Sequence, residues 1–218
     1  INMLAFFEGL ELSTPVNSSV LITLAPILVF IFSALILKEK IRVMKAVGII
    51  AGFIGALVLI LYTAKSGMNA PNIPLGNSLF ILNSASYGLY LVLIKPMIAK
   101  YDIITLLKWL FTLGFIINLP ITYNDFANIN FTTLPFYDAI LPIVYVVIGT
   151  TFFTYLLNAY ALKNLTASSV SSFIYLQPIV GIVYAVGTKS DTLTLVNVFG
   201  MLLIFVGIYL VTKKIETN

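Results

Sequence analysis

The sequence predicts an all-α polytopic membrane protein, and three observations carry that reading. The 218 residues are 60% hydrophobic and 9% charged, with a mean hydropathy of +1.06, where soluble domains are roughly 45–50% apolar and about 25% charged. The apolar residues fall in runs near the 20 or so residues a helix needs to cross a bilayer. The basic residues cluster in alternate connections between those runs. Together these exclude a soluble enzyme or a nucleic-acid binder, and the expected partners are a small-molecule solute and the lipid bilayer, with no nucleic acid.

The elements follow in order. Ile1 to about Leu10 is apolar but too short to span, and it runs into a Glu-Leu-Ser-Thr-Pro turn, so it reads as a partial span, a helix cut in its middle. Seven complete spans follow: Val16 to Leu37, Val43 to Tyr62, Leu75 to Ile98, Ile103 to Tyr123, Ala139 to Leu162, Ala167 to Gly187 and Leu193 to Val211. Connections are short except Asn124 to Asp138 and the Gly/Pro/Asn-rich stretch Ala64 to Pro74, the expected linker. Sorting the 12 Lys and Arg residues by side puts Lys38, Lys40, Arg42, Lys45, Lys95, Lys100, Lys108, Lys163, Lys213 and Lys214 on one face of the membrane and only Lys65 and Lys189 on the other. The positive-inside rule then predicts a cytoplasmic C-terminus in the plasma (inner) membrane. With no Cys and no His, the chain lacks thiol chemistry, the commonest metal ligand and the usual proton shuttle. Neither a metal nor a cofactor is expected.

Sliding the chain along itself by 152 positions, the separation of Pro26 and Pro178, aligns Leu10 with Leu162, Thr14 with Thr166, Ser19 with Ser171, Glu39 with Asp191, Gly48 with Gly200 and Gly55 with Gly207. A proline, an acid and two glycines in one register point to a duplication. The copies lie five spans apart, an odd number, so they cross in opposite directions. Their charges agree: Lys38 to Lys45 carries four basic residues, and its counterpart Ser190 to Asn197 carries none. This is an inverted-topology repeat, the architecture typical of secondary transporters. The expected organisation is residues 1–62 as the C-terminal part of a first repeat, 63–74 as linker, and 75–212 as a complete second repeat. By the same offset, roughly 78 residues of the first copy would precede Ile1, making ten spans in two five-helix halves.

The motifs of the two copies resemble the EamA-type family of the drug/metabolite transporter superfamily. Leu24-Ala-Pro-Ile27, Leu37-Lys-Glu39 and Gly48 to Gly55 in one copy, and Tyr175-Leu-Gln-Pro178, Asp191 and Gly200 to Gly207 in the other, match its pattern of a proline-bearing helix, an acidic turn and a glycine-bearing helix. Ser86-Tyr-Gly-Leu-Tyr-Leu-Val-Leu-Ile-Lys-Pro96 is similar to the helix that opens the family's second half. The resemblance implies a carrier of small metabolites, often an exporter of amino acids or related compounds, with cytoplasmic termini.

Polar side chains at membrane depth are costly unless they meet a partner or a watery cavity. Three helices carry them at helical spacing: Asn83, Ser86, Tyr87 and Tyr90; Thr151, Thr154, Tyr155 and Asn158; Ser168, Ser171, Ser172 and Tyr175. The expected solute cavity is lined by Asn83, Tyr87, Tyr90, Thr151, Tyr155, Asn158, Ser171 and Tyr175, whose hydroxyls, amides and rings suit a neutral, zwitterionic or aromatic solute. The alternative is that the Ser and Thr residues bond to their own backbone or let helices pack closely. Pro26 and Pro178 each remove a helix hydrogen bond and are the expected paired hinge, with a fixed bend as the alternative. Gly48, Gly52, Gly55, Gly200 and Gly207 are expected to pack helices within a monomer, with a homodimer interface as the other use. Glu39 and Asp191 stand near the start of the next helix, where a carboxylate suits the dipole, and Lys38 to Lys45 faces the anionic leaflet.

No span carries an acid at its centre. The chain therefore reads as a facilitator or exchanger unless a coupling residue lies upstream. An intramembrane enzyme would need an acid pair, an activated nucleophile or a metal cluster, so no enzymatic activity is expected. A membrane scaffold or partner subunit, or a non-transporting fragment of a carrier, are the remaining alternatives.

Overall fold

The computed structural model describes residues 1–63, 70–129, 134–189 and 193–213. Its α-helices are α1 (Asn2–Leu12), α2 (Pro15–Ile22), α3 (Ala25–Ile36), α4 (Val43–Thr63), α5 (Ile73–Ile98), α6 (Ile103–Ala127), α7 (Leu141–Val144), α8 (Thr154–Asn164), α9 (Ala167–Ser172), α10 (Gln177–Gly187) and α11 (Leu195–Thr212). Among the described residues there is no strand. Seven helical stretches among the described residues are long and apolar enough to cross a membrane, beginning with Pro15–Ile36 and ending with Leu195–Thr212. The protein is an all-α polytopic membrane protein. Much of the expected linker lies outside the described residues, as do Lys65, Asp191 and Lys214; α5 already begins at Ile73, with Pro74 in its first turn.

Large apolar side chains cover the outside of these helices. Leu195 is 88% exposed, and Phe199, Leu202, Phe205 and Tyr209 are more than half exposed along α11. That would be ruinous in water and is the expected state against hydrocarbon, where the apolar exterior has lipid as its solvent. Hydroxyls and amides are instead drawn inward: Ser18, Ser33, Ser84, Ser168, Ser171, Ser172 and Asn197 are buried.

Two units can be distinguished, residues 1–93 with 165–218, and residues 94–164. The centre of the first is the pairing of α4 with α11. A methyl group placed on Gly48 would stand 2.7 Å from the Gly207 carbonyl oxygen, and one on Gly55 would stand 2.7 Å from that of Gly200. As the number falls on one helix it rises on the other, so α4 and α11 run antiparallel. The two contacts also exchange under the repeat: Gly48 corresponds to Gly200, and Gly55 to Gly207. Equivalent helices packed antiparallel through self-complementary contacts are what a two-fold relation between inverted copies produces.

The copies also share local devices. Thr14 caps α2 by accepting a hydrogen bond from the Asn17 N–H (3.1 Å), and its equivalent Thr166 caps α9 by accepting from the Ser169 N–H (3.2 Å). Losing a threonine cap costs about 1 kcal/mol. Thr14→Ala and Thr166→Ala are each expected to lower stability by about that amount, read as a small drop in melting temperature, with Ser at either position close to neutral.

The prolines do more than bend a continuous helix. α2 stops at Ile22 and α3 restarts at Ala25, with Pro26 in its first turn; α9 stops at Ser172, a 3₁₀ turn covers Phe173–Leu176, and α10 begins with Pro178 in its first turn. Proline has no N–H to give and crowds the carbonyl four residues back, so it is tolerated best where a helix begins. Each crossing is thus broken at its equivalent point. Each is also closed by a lysine in the left-handed region, Lys38 at φ 54° and Lys189 at φ 57°, and the Glu39 N–H donates to the Ser33 carbonyl to finish α3. Glu39 serves there through its backbone, and the first turn of α4 holds no acid.

In the second unit, Asp102 caps α6 through the N–H groups of Ile104 (2.9 Å) and Thr105 (3.3 Å). The following crossing, Phe136–Asn164, contains π-helical stretches at Phe136–Ile140 and Tyr145–Phe153. Within the longer one, the Thr150 hydroxyl donates to the Val146 carbonyl (2.9 Å), occupying the acceptor an α-helical N–H would use.

Candidate functional site

The candidate residues divide between the two units. On α5, Asn83 is 8% exposed and exchanges hydrogen bonds with Asn2 of α1: its side-chain amide donates to the Asn2 carbonyl (2.8 Å) while its own carbonyl accepts from the Asn2 side chain (2.9 Å). Tyr87 and Tyr90, one turn further along, are half-buried with ring centroids 6.3 Å apart. The neighbouring Ser13 hydroxyl donates to Asn77 Oδ1 (2.7 Å) and accepts from Asn17 Nδ2 (3.2 Å), so a polar seam joins α1, α2 and α5.

Ser171 and Tyr175 are wholly buried. The Ser171 hydroxyl donates to the Ser168 carbonyl of its own helix (3.1 Å). The Tyr175 ring lies against α4, where a methyl on Gly52 would stand 2.5 Å from Cδ2, and it joins Ala56, Leu59, Ile179, Ile182 and Ile204 in one core cluster. Its hydroxyl has no hydrogen-bond partner, nor have Ser33 Oγ, Ser168 Oγ and Asn197 Oδ1. Gly52 therefore makes room for a tyrosine ring and, with Gly48, Gly55 and Gly207, for the backbone approach of α4 to α11, while Gly200 lies closest to the Leu59 side chain.

In the second unit, Thr151, Tyr155 and Asn158 are half-buried, and Thr154 is exposed. Thr151 lies in the π-helical stretch and the other two in α8. Tyr155 meets Phe111 of α6 edge to face, with centroids 5.6 Å apart, and Phe111 also neighbours Phe152 at 6.4 Å. Sequence spacing does not single out Phe111, an aromatic residue in a run of apolar ones. From sequence, Lys45 is expected only to face the anionic leaflet with the rest of Lys38 to Lys45. Its Nζ does not simply reach outward to lipid headgroups; it donates to Thr166 Oγ1 (3.1 Å), joining the first copy to the second. No group of three or more Asp or Glu that could hold a metal occurs among the described residues.

Antiparallel helices, broken crossings and polar side chains drawn inside an apolar exterior define a multi-pass helical membrane protein. The EamA-like transporter family matches residues 1–61 and 74–213, and the chain belongs to it. An uncharacterized transporter of Archaeoglobus fulgidus is 34% identical over 197 residues, which are 90% of this chain and 67% of that protein. A second from the same organism is 28% identical over 213 residues, 95% of this chain and 70% of the relative. The uncharacterized transporter YyaM of Bacillus subtilis is 24% identical over 93% of this chain and 66% of its own length. A crystal structure with a TM-score of 0.75 and 18% identity, covering 95% of this chain and 70% of the other, shares the fold.

Proposed function

We propose that the protein is a carrier that exports small metabolites, amino acids or related compounds, by alternating access across the plasma (inner) membrane, with its C-terminus in the cytoplasm. The observation that carries this reading is the α4–α11 seam. Two inverted copies packed through interchangeable contacts can adopt two arrangements related by that two-fold and close in energy, which is the physical requirement for opening to one side and then the other. The broken crossings at Pro26 and Pro178 supply equivalent places to bend. Polar groups at Asn83, Tyr87, Tyr90, Thr151, Tyr155, Asn158, Ser171 and Tyr175 are the proposed contacts for the solute, and the Phe111–Tyr155 pair favours one with an apolar or aromatic portion. The ten-to-two bias of basic residues supports the cytoplasmic C-terminus.

Efflux of a panel of amino acids and metabolites from cells expressing the chain tests the proposal. At least one compound should leave faster than from cells lacking it, and Asn158→Ala should slow that efflux about tenfold, the worth of a lost hydrogen bond to solute. No accelerated compound would overturn the carrier reading; unchanged efflux in Asn158→Ala would remove this residue from the path.

A further inference from the structure

The two inverted copies are not in the same state. Within the first unit, α3 lies along α9. The repeat maps that packing onto α10 along α2, and among the described residues α10 and α2 make no comparable approach. Burial follows the same division: all six residues of α9 are buried, whereas in the equivalent part of α2 only Ser18 is. Ser171 is fully buried while its counterpart Ser19 is exposed.

A polar contact marks the packed end. Lys45 at the start of α4 donates to Thr166, the cap of α9, at 3.1 Å. Under the repeat, Lys45 becomes Asn197 and Thr166 becomes Thr14. At that mirrored place Asn197 is 2% exposed with its Oδ1 unpartnered, and the Thr14 hydroxyl accepts from the Asn17 N–H. One end has its cross-copy hydrogen bond made; the other holds a buried acceptor with none.

We propose that Lys45 and Thr166 form a latch that holds the chain closed at the end bearing Lys38 to Lys45, and that Thr14 and Asn197 form its counterpart when the opposite end closes. The inference rests on the carrier reading above and adds the residues that set its resting state. A buried Oδ1 without a donor is costly, and closure of α10 on α2 would bring the Thr14 O–H within reach to relieve it. The two latches are unequal, because an ammonium donor makes a stronger hydrogen bond than a hydroxyl. The resting chain is therefore biased toward the closed lysine end, which the positive-inside rule makes cytoplasmic.

The chain has no cysteine, so single cysteines report without background. Ser168→Cys on α9 and its repeat equivalent Val16→Cys on α2 would be labelled, in separate proteins in proteoliposomes, with a membrane-impermeant maleimide from each side and no solute present. Val16→Cys should label at least about tenfold faster than Ser168→Cys. Adding Lys45→Met should speed Ser168→Cys and slow Val16→Cys by about tenfold, the effect of removing one charge-assisted hydrogen bond, while Lys45→Arg should keep the original order. Asn197→Lys, which installs the ammonium at the other latch, should shift both rates in the same direction as Lys45→Met and guards against misfolding of that variant. Equal labelling of the two cysteines at the outset, or rates that neither Lys45→Met nor Asn197→Lys moves, would overturn the latch. Loss of the latch with solute efflux intact leaves the carrier reading standing; shifted labelling in a chain that exports nothing overturns the carrier reading and leaves the latch.

Discussion

Gly207→Ala is expected to destabilise the protein by about 1–3 kcal/mol, and Gly207→Leu to abolish folding. The added methyl would stand 2.6 Å from both the Gly48 carbonyl oxygen and the Gly52 nitrogen. Both are backbone atoms inside a helix, so neither can swing aside and the whole α4–α11 seam must open. Between helices in lipid no hydrophobic force compensates, because hydrocarbon solvates an apolar surface as well as another helix does; close van der Waals contact and interhelical hydrogen bonds must hold the pair. The matched control is Gly181→Ala in α10, where nothing lies within 4 Å of the added carbon. There the gain in helix propensity, about 1 kcal/mol, should leave the protein as stable or more so. Thermal unfolding in detergent separates the two, and a Gly207→Ala protein that melts with the parent would show that the seam is looser than described.

Tyr175→Ala should cost about 3–5 kcal/mol, the usual loss for emptying a buried aromatic site, because the ring fills the notch over Gly52 among Ala56, Leu59, Ile179, Ile182 and Ile204. Tyr175→Phe is the informative partner. The hydroxyl bonds to nothing in this arrangement, so its removal should leave the melting temperature within a few degrees of the parent. A Phe variant that keeps its stability but exports more slowly would show the hydroxyl meeting solute in another arrangement of the helices. One that exports at the parental rate would restrict Tyr175 to packing.

The spans are legible in the sequence to within a few residues, since apolar length is a local property. The prolines are legible as hinge candidates, but the interruption of each crossing is not, because the 3₁₀ turn before Pro178 and the break before Pro26 involve residues no polarity pattern distinguishes. The stripe through Thr151, Tyr155 and Asn158 assumed 3.6 residues per turn, and a π-helical stretch carries its first member. Lys45 looked like one more basic residue in a charged loop. That it meets Thr166, a residue 121 positions away, follows from how α9 packs along α3 and α11, which the charge pattern does not encode.

By itself the sequence determined that the chain is an all-α polytopic membrane protein, and it marked one end as basic, because each of these is a partition between bilayer and water, made residue by residue. Only the tertiary structure decided which glycine faces a carbonyl and which a tyrosine ring, and which of two equivalent ends is packed shut. In lipid, apolar residues gain nothing by burial alone, so those choices rest on atomic contact between segments far apart in the chain.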